Sequence, residues 1–300
     1  MSYFLKSGNT FRVSTKEAMD LHEKLPAGNY VVKEMPMDGP LYLEHIESFE
    51  IKGKRYGDLD RNCDRIISTF LDRPASTGVM LTGEKGSGKT LLAKMLSIKG
   101  YDKGYPTIVI NQPWCGDEFN AFIQSIEQPV IVVFDEFEKV YGEDEQEQIL
   151  TLLDGVFPTK KLFVLTSNDK WRINQHMRNR PGRIFYLIDF KGVDGNFIRE
   201  YCNDNLNAKE HIERIVNVST MFKEFNFDML KALVEEMKRM RANLSGSTLE
   251  AYRSCDRLCP YNSRYSPLGF FRSNTKRLSL AFYWLNYTAI RSHSSLRLAV

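Results

Sequence analysis

Eight consecutive residues carry the clearest chemistry in the chain. Gly83-Glu84-Lys85-Gly86-Ser87-Gly88-Lys89-Thr90 follows the pattern G-x-x-x-x-G-K-[ST]. Glycines let the backbone curl so that successive N–H groups converge on phosphate oxygens, and a helix starting at the end of the loop adds partial positive charge. In such a loop Lys89 is expected to bridge the β- and γ-phosphates of a nucleoside triphosphate and the Thr90 hydroxyl to ligate Mg²⁺. A flexible Gly-rich turn is the alternative. The flanks argue against it, since Val79-Met80-Leu81 reads as a strand and Leu91–Leu96 as a helix.

A second acidic element follows 46 residues after Lys89. Val130–Phe134 is a continuous run of β-branched and aromatic residues that ends in Asp135-Glu136. A run of that kind is expected of a strand buried on both faces. A carboxylate at its C-terminal end faces the crevice where such sheets bind ligands. Asp135 is therefore expected to hold Mg²⁺, largely through water, and Glu136 to orient and polarise an attacking water.

The elements that position these groups alternate along the chain. Short apolar runs at Gly78–Thr82, Thr107–Asn111, Val130–Phe134, Leu162–Ser167 and Ile184–Ile188 are separated by amphipathic stretches, the pattern of a parallel sheet covered by helices. Before them, residues 1–50 form a short α+β extension. Ser14-Thr15-Lys16-Glu17 fits a capping box and predicts a short helix. Tyr30-Val31-Val32 and Leu41-Tyr42-Leu43 flank Met37-Asp38-Gly39-Pro40 and predict a β-hairpin. After them, Asn196–Asn205, Lys209–Val216 and Asp228–Met240 place apolar residues three and four apart and predict helices. The segments are thus an extension (1–50), an α/β core with a five-stranded parallel sheet (51–192), an all-helical lid (193–245) and a tail (246–300).

Together these residues resemble the AAA branch of the AAA+ ATPases, over about residues 52–241. Ile149–Asp154 with Gly155 resembles that family's leucine-rich helix ending in Asp-Gly. Leu165-Thr166-Ser167-Asn168 resembles its sensor 1 strand, and Arg180-Pro181-Gly182-Arg183 its arginine-finger segment. Phe225, Asp228-Met229-Leu230 and Leu233 are similar to the last helix of its lid. The resemblance implies a P-loop ATPase acting as a homo-oligomer, a hexamer or similar ring, with ATP and Mg²⁺ as ligands. It implies that Gly57, in Tyr56-Gly57-Asp58-Leu59, lies where a backbone turn meets adenine. It also implies that Trp114-Cys115-Gly116 lies where ring unfoldases carry a substrate-gripping loop. Asn168 is expected to hydrogen-bond the attacking water or the γ-phosphate, with a strand-end cap as the alternative. For Arg180 and Arg183 the choice is between stabilising charge on a neighbour's γ-phosphate, Arg180 first, and pairing with local acids. Trp114 offers either a large apolar grip on a threaded polypeptide or a ring folded onto its own domain. The lid shows no sensor 2 arginine, and Asn226-Phe227 stands where the family carries small residues.

Composition narrows what remains. An aromatic content of 12% excludes a wholly disordered chain. No window approaches the ~20 apolar residues of a membrane span, so no membrane partner is expected. Five scattered cysteines (63, 115, 202, 255 and 259) and the lack of an apolar leader point to a reducing, cytoplasmic location. Neither the Cys255–Cys259 pair nor the five histidines show metal-ligand spacing. Residues 251–300 hold eight basic side chains against Asp256 alone, a charge of +7, while the first 250 residues sum to −4. Only the tail, a basic arm or a plain extension, supports nucleic acid as a partner. The expected function is a ring-forming motor that remodels or unfolds a protein substrate. The rivals are an ATPase on nucleic-acid complexes, of helicase-loader or clamp-loader type, and a nucleotide-gated assembly factor.

Overall fold

The computed structural model describes residues 2–7, 10–15, 22–37, 39–154, 159–178, 180, 182–206, 211–222 and 225–244. In chain order the elements are β1 (Ser2–Ser7), β2 (Thr10–Thr15), β3 (Asn29–Glu34), β4 (Leu41–Ile46), α1 (Leu59–Asp72), β5 (Thr77–Gly83), α2 (Lys89–Asp102), β6 (Thr107–Ile110), α3 (Gly116–Ser125) and β7 (Val130–Phe134). There follow α4 (Phe137–Val140), α5 (Glu143–Leu153), β8 (Lys161–Ser167), α6 (Gln175–Arg178), β9 (Tyr186–Phe190), α7 (Gly195–Asn205), α8 (Ile212–Ser219) and α9 (Phe227–Leu244). The described residues pack as two compact units. One holds the residues up to Gly53 with 59–82 and 89–189, and the other 54–58, 83–88 and the residues from Phe190 on.

The continuous apolar runs form the middle of the sheet, as their composition requires. Every residue of β7 and β8 is buried, and six of the seven in β5. The strand order is β4-β3-β6-β7-β8-β5-β9, and β3–β6, β6–β7, β7–β8 and β8–β5 are parallel pairs. Phe119, Phe134, Phe137, Tyr141 and Phe163 form the aromatic part of the core beside β7.

Among the described residues the sheet has seven strands, where five were expected. The predicted hairpin exists, with Asn29–Glu34 antiparallel to Leu41–Ile46. It does not stand apart, because Asn29–Val31 pair in parallel with Thr107–Val109 and extend the sheet past β6. Asn29 is tied inward as well, its Oδ1 accepting from the Ser97 hydroxyl of α2 at 2.8 Å. The extra strands cover an edge that would otherwise offer unpaired backbone groups.

Two local expectations change, and a third falls partly outside the described residues. Ser14 and Thr15 end β2, opposite Tyr3 and Ser2 of β1. Residues 16–21, where a short helix was expected, lie outside the described residues. The last strand runs Tyr186–Phe190, two residues later than the apolar run suggested. The N–H groups of Arg183 and Ile184 are spent on the carbonyl of Arg180, which holds this stretch in a turn. Helix α8 starts at Ile212, and Lys209 lies outside the described residues, as does the tail.

In the second unit, the described residues from Gly195 to Leu244 form the helices α7, α8 and α9. Asp194 caps α7, its Oδ1 accepting from the Phe197 N–H at 2.7 Å. Ile198, Cys202, Ile215, Val218, Leu230 and Val234 form its core, with Tyr56 packed against it. No helix among the described residues is long and apolar enough to cross a membrane. Cys115 and Cys202 are free thiols.

Candidate active site

The loop that joins β5 to α2 has the conformation its glycines predict. Gly83, Gly86 and Gly88 have φ of 134°, 72° and 102°. A Cβ at Gly86 would lie 2.3 Å from Asp228 Oδ2 of the same unit, so no larger residue fits there without a shift. Glu84, Lys85 and Ser87 complete the loop. The Ser87 hydroxyl is buried and makes no hydrogen bond with the described residues. A polar atom in that state suits a phosphate oxygen. Gly57, in the same unit, has φ of 71°, and a Cβ there would meet the Phe197 ring at 3.2 Å.

In the first unit, Lys89 opens α2 and is buried. Its Nζ donates to Asn168 Oδ1 at 3.0 Å. Burial lowers the Lys89 pKa, and the carboxylates of Glu138, Asp135 and Glu136 oppose that shift. Phosphate charge would reinforce the carboxylates and favour the ammonium form. Next to it, the Thr90 hydroxyl donates to Asp135 Oδ1 at 3.3 Å. The Thr166 hydroxyl donates to the same oxygen at 2.6 Å and accepts from the Glu136 N–H at 2.9 Å. Strand register explains this meeting. Phe134 lies opposite Leu165, so the next residues of the two parallel strands, Asp135 and Thr166, fall side by side.

Glu136 follows in the left-handed region, with φ 50° and ψ 44°. A non-glycine residue there is strained by about 1–3 kcal/mol, which surrounding structure must offset. Its carboxylate pairs with Lys139. Sequence reasoning missed Glu138 and Thr166. Glu138 is 9% exposed, and its Oε1 accepts from both the N–H and the Nδ2 of Asn168, at 3.0 and 2.9 Å. No signal in the sequence set Glu138 apart, since Asp135, Glu136, Glu138 and Lys139 read alike as charged residues following the strand.

The structure thus brings Lys89, Thr90, Asp135, Glu136 and Asn168 together. The two arginines make their contacts elsewhere. Arg183 is 9% exposed and grips Asp154 through two nitrogens, Nη2 to Oδ2 at 2.6 Å and Nε to Oδ1. Its Nη1 donates to the His176 carbonyl at 2.9 Å. The Arg183 hydrogen bond holds the Asp154 carboxyl below its ordinary pKa. Arg183 therefore occupies the local-acid alternative, because a bidentate partner lies in its own chain. Arg180 approaches Asp154 only to 3.6 Å and has a side chain 66% exposed. Pro181 and Gly155 lie outside the described residues.

Trp114, too, takes the inward alternative. It is half-buried against the core with Cys115, and its carbonyl accepts from the Tyr141 hydroxyl at 3.0 Å. Gly116, φ 88°, opens α3. The exposed tryptophan of this unit is Trp171, 74% accessible, with Arg178 and Lys170 over its ring at 5.1 and 5.6 Å.

The residues present fit Mg²⁺ with a nucleotide. Thr90 Oγ1 and Asp135 Oδ1 supply two adjacent oxygens, and no cluster of three or more acids, histidines or cysteines competes for a metal among the described residues. Mg²⁺ commonly takes one or two carboxylates and completes its shell with water and phosphate.

Residues 79–191 match the family described as ATPase family associated with various cellular activities (AAA). Over 211 residues the chain is 24% identical to Protein SAV of Sulfolobus acidocaldarius, covering 62% of this chain and 25% of that protein. It is 32% identical over 127 residues to the peroxisomal ATPase PEX1 of Cricetulus griseus, covering 36% of this chain and 10% of the relative. With Protein mac-1 of Caenorhabditis elegans it shares 28% over 139 residues, 39% of this chain and 17% of that one. The chain spans a quarter or less of the length of each of these relatives.

Proposed function

Since the chain is a member of the AAA+ ATPase superfamily, we propose that it hydrolyses ATP within a ring of identical subunits and uses the energy to remodel a protein target. The observation that carries the hydrolytic part is the meeting of Lys89, Asn168, Thr90 and Asp135 at the C-terminal ends of β7 and β8. Backbone N–H groups of Gly83–Gly88 and the Lys89 ammonium bind the phosphates. Thr90 and Asp135, the latter largely through water, would hold Mg²⁺, which would supply positive charge to offset that of the phosphates. Glu136 takes a proton from the attacking water, and Asn168 positions that water. The ion pair with Lys139 must loosen for Glu136 to do so.

Ring formation rests on Arg180, whose guanidinium is exposed and only loosely held. It is the group assigned to reach a neighbouring copy's γ-phosphate. The remodelling role draws on the family and on the similarity to PEX1. A second reading, action on nucleic-acid complexes, draws on Trp171, since an exposed indole among Lys170, Arg172 and Arg178 suits base stacking beside phosphate.

Glu136→Gln tests the reading. The variant should bind ATP as the wild type does, hydrolyse it at least about 100-fold more slowly, and accumulate as an ATP-bound oligomer in sedimentation. Turnover at the wild-type rate would refute the role of Glu136. Hydrolysis independent of protein concentration, with a monomer throughout, would refute the ring.

A further inference from the structure

We propose that Glu138 is a positioning residue that fixes the side-chain amide of Asn168 with its oxygen toward Lys89, so that Asn168 works as a hydrogen-bond acceptor for the attacking water. This rests on the ATPase reading above and decides between two roles that the sequence leaves open, contact with water or contact with the γ-phosphate.

The orientation follows from complementary chemistry. An asparagine amide presents an acceptor on one side and donors on the other. Lys89 has only donors to offer, and an ionised Glu138 only acceptors. Asn168 lies between them, Oδ1 accepting from Lys89 Nζ at 3.0 Å and Nδ2 donating to Glu138 Oε1 at 2.9 Å. The same Glu138 oxygen accepts from the Asn168 backbone N–H at 3.0 Å, so one carboxylate holds both the main chain and the side chain. A flipped amide would set Nδ2 against the ammonium and Oδ1 against the carboxylate, two repulsions at once. When Lys89 turns to the phosphates, Oδ1 is left facing the site as an acceptor.

Burial separates this role from a scaffold role. Glu138 is 9% exposed, and its Oε2 is buried without a hydrogen bond among the described residues. A buried carboxylate with one oxygen unmatched costs more than a neutral amide of the same shape. For holding the fold alone, glutamine would serve as well or better. Glutamine would not hold Asn168 in one orientation, because its own amide can turn and donate to Oδ1.

The test combines a spectrum and a mutant cycle. In nucleotide-free protein labelled with ¹⁵N-asparagine, the Asn168 side-chain amide, assigned by its loss in Asn168→Ala, should show one proton shifted downfield by the carboxylate. Glu138→Gln should abolish that shift while melting no lower than the wild type. In the same variant kcat should fall by roughly tenfold or more, with KM for ATP changed less than about threefold. In an Asn168→Ala background the substitution should cost nothing further, within about twofold. An unshifted amide in the wild type would overturn the proposal, as would wild-type kcat in Glu138→Gln or a full additional tenfold loss in the double variant. An inactive wild type with the shifted proton in place would instead overturn the ATPase reading, and with it the catalytic half of the inference. If Glu138→Gln does not fold, Glu138→Asp, whose charge sits on a shorter stem, should show the same lost shift and reduced kcat.

Discussion

Arginines 180 and 183 are three residues apart, yet their replacement by alanine should have opposite consequences. Removing Arg183 leaves the Asp154 carboxylate without its bidentate partner and the His176 carbonyl without a donor. Breaking a buried ion pair costs about 3–5 kcal/mol, mostly through the charge left behind. Asp154 is 30% exposed, so water can take over part of the carboxylate's hydration. We therefore expect about 2–3 kcal/mol, a fall in Tm of about 5–10 °C for a chain of this size. Arg180 is mostly exposed and 3.6 Å from Asp154, a contact that contributes under about 0.5 kcal/mol. Its loss should leave Tm within about 2 °C and lower ATP turnover about 10³-fold in the assembled state. Thermal melts of both variants, with turnover measured across protein concentration, decide the matter. Normal melting of Arg183→Ala together with lost turnover would show that Arg183 leaves Asp154 to act on nucleotide, and the division of labour argued here would be wrong.

Lys161 offers a test that does not involve nucleotide. It is buried at the start of β8, its Nζ donates to the Ile126 carbonyl, and burial lowers its pKa from 10.5 to about 8. Between those values the unfolded chain binds a proton that the folded chain has released, so stability rises with pH through that window, by at most about 3 kcal/mol. Urea melts at pH 7.5 and pH 10 should show Lys161→Met losing that increment; an equal rise in both proteins would exclude it. Trp114→Ala should destabilise by about 2 kcal/mol, because a half-buried ring leaves a partial cavity, whereas Trp171→Ala should stay within about 0.5 kcal/mol. If single-stranded DNA stimulates turnover, Trp171→Ala should reduce the effect. Stimulation unchanged in that variant would remove the indole from the nucleic-acid reading.

Much of the site is local and was therefore legible in the residue order. The loop at 83–88, Lys89 and Thr90 belong to one strand–loop–helix passage in which each residue's backbone follows from its neighbours. Asp135 and Asn168 each stand at the end of an apolar run, and both runs proved to be adjacent strands of one parallel sheet. The hairpin at 29–46 was equally plain from its turn, but its attachment to β6 was not, since edge pairing leaves no mark on the hairpin itself.

What spacing could not supply is which polar groups pair across the sheet. Thr166 meets Asp135 from 31 positions away, Glu138 meets Asn168 from 30, and Arg183 meets Asp154 from 29. Each contact depends on strand register and on how the intervening turns close, and both are set by burial of the whole core. For the same reason the types Arg-Pro-Gly-Arg and Trp-Cys-Gly left their side chains free to face outward or inward. Packing turned Arg183 and Trp114 inward and left Arg180 and Trp171 facing solvent, because an acid and an apolar wall lay within reach of the first two.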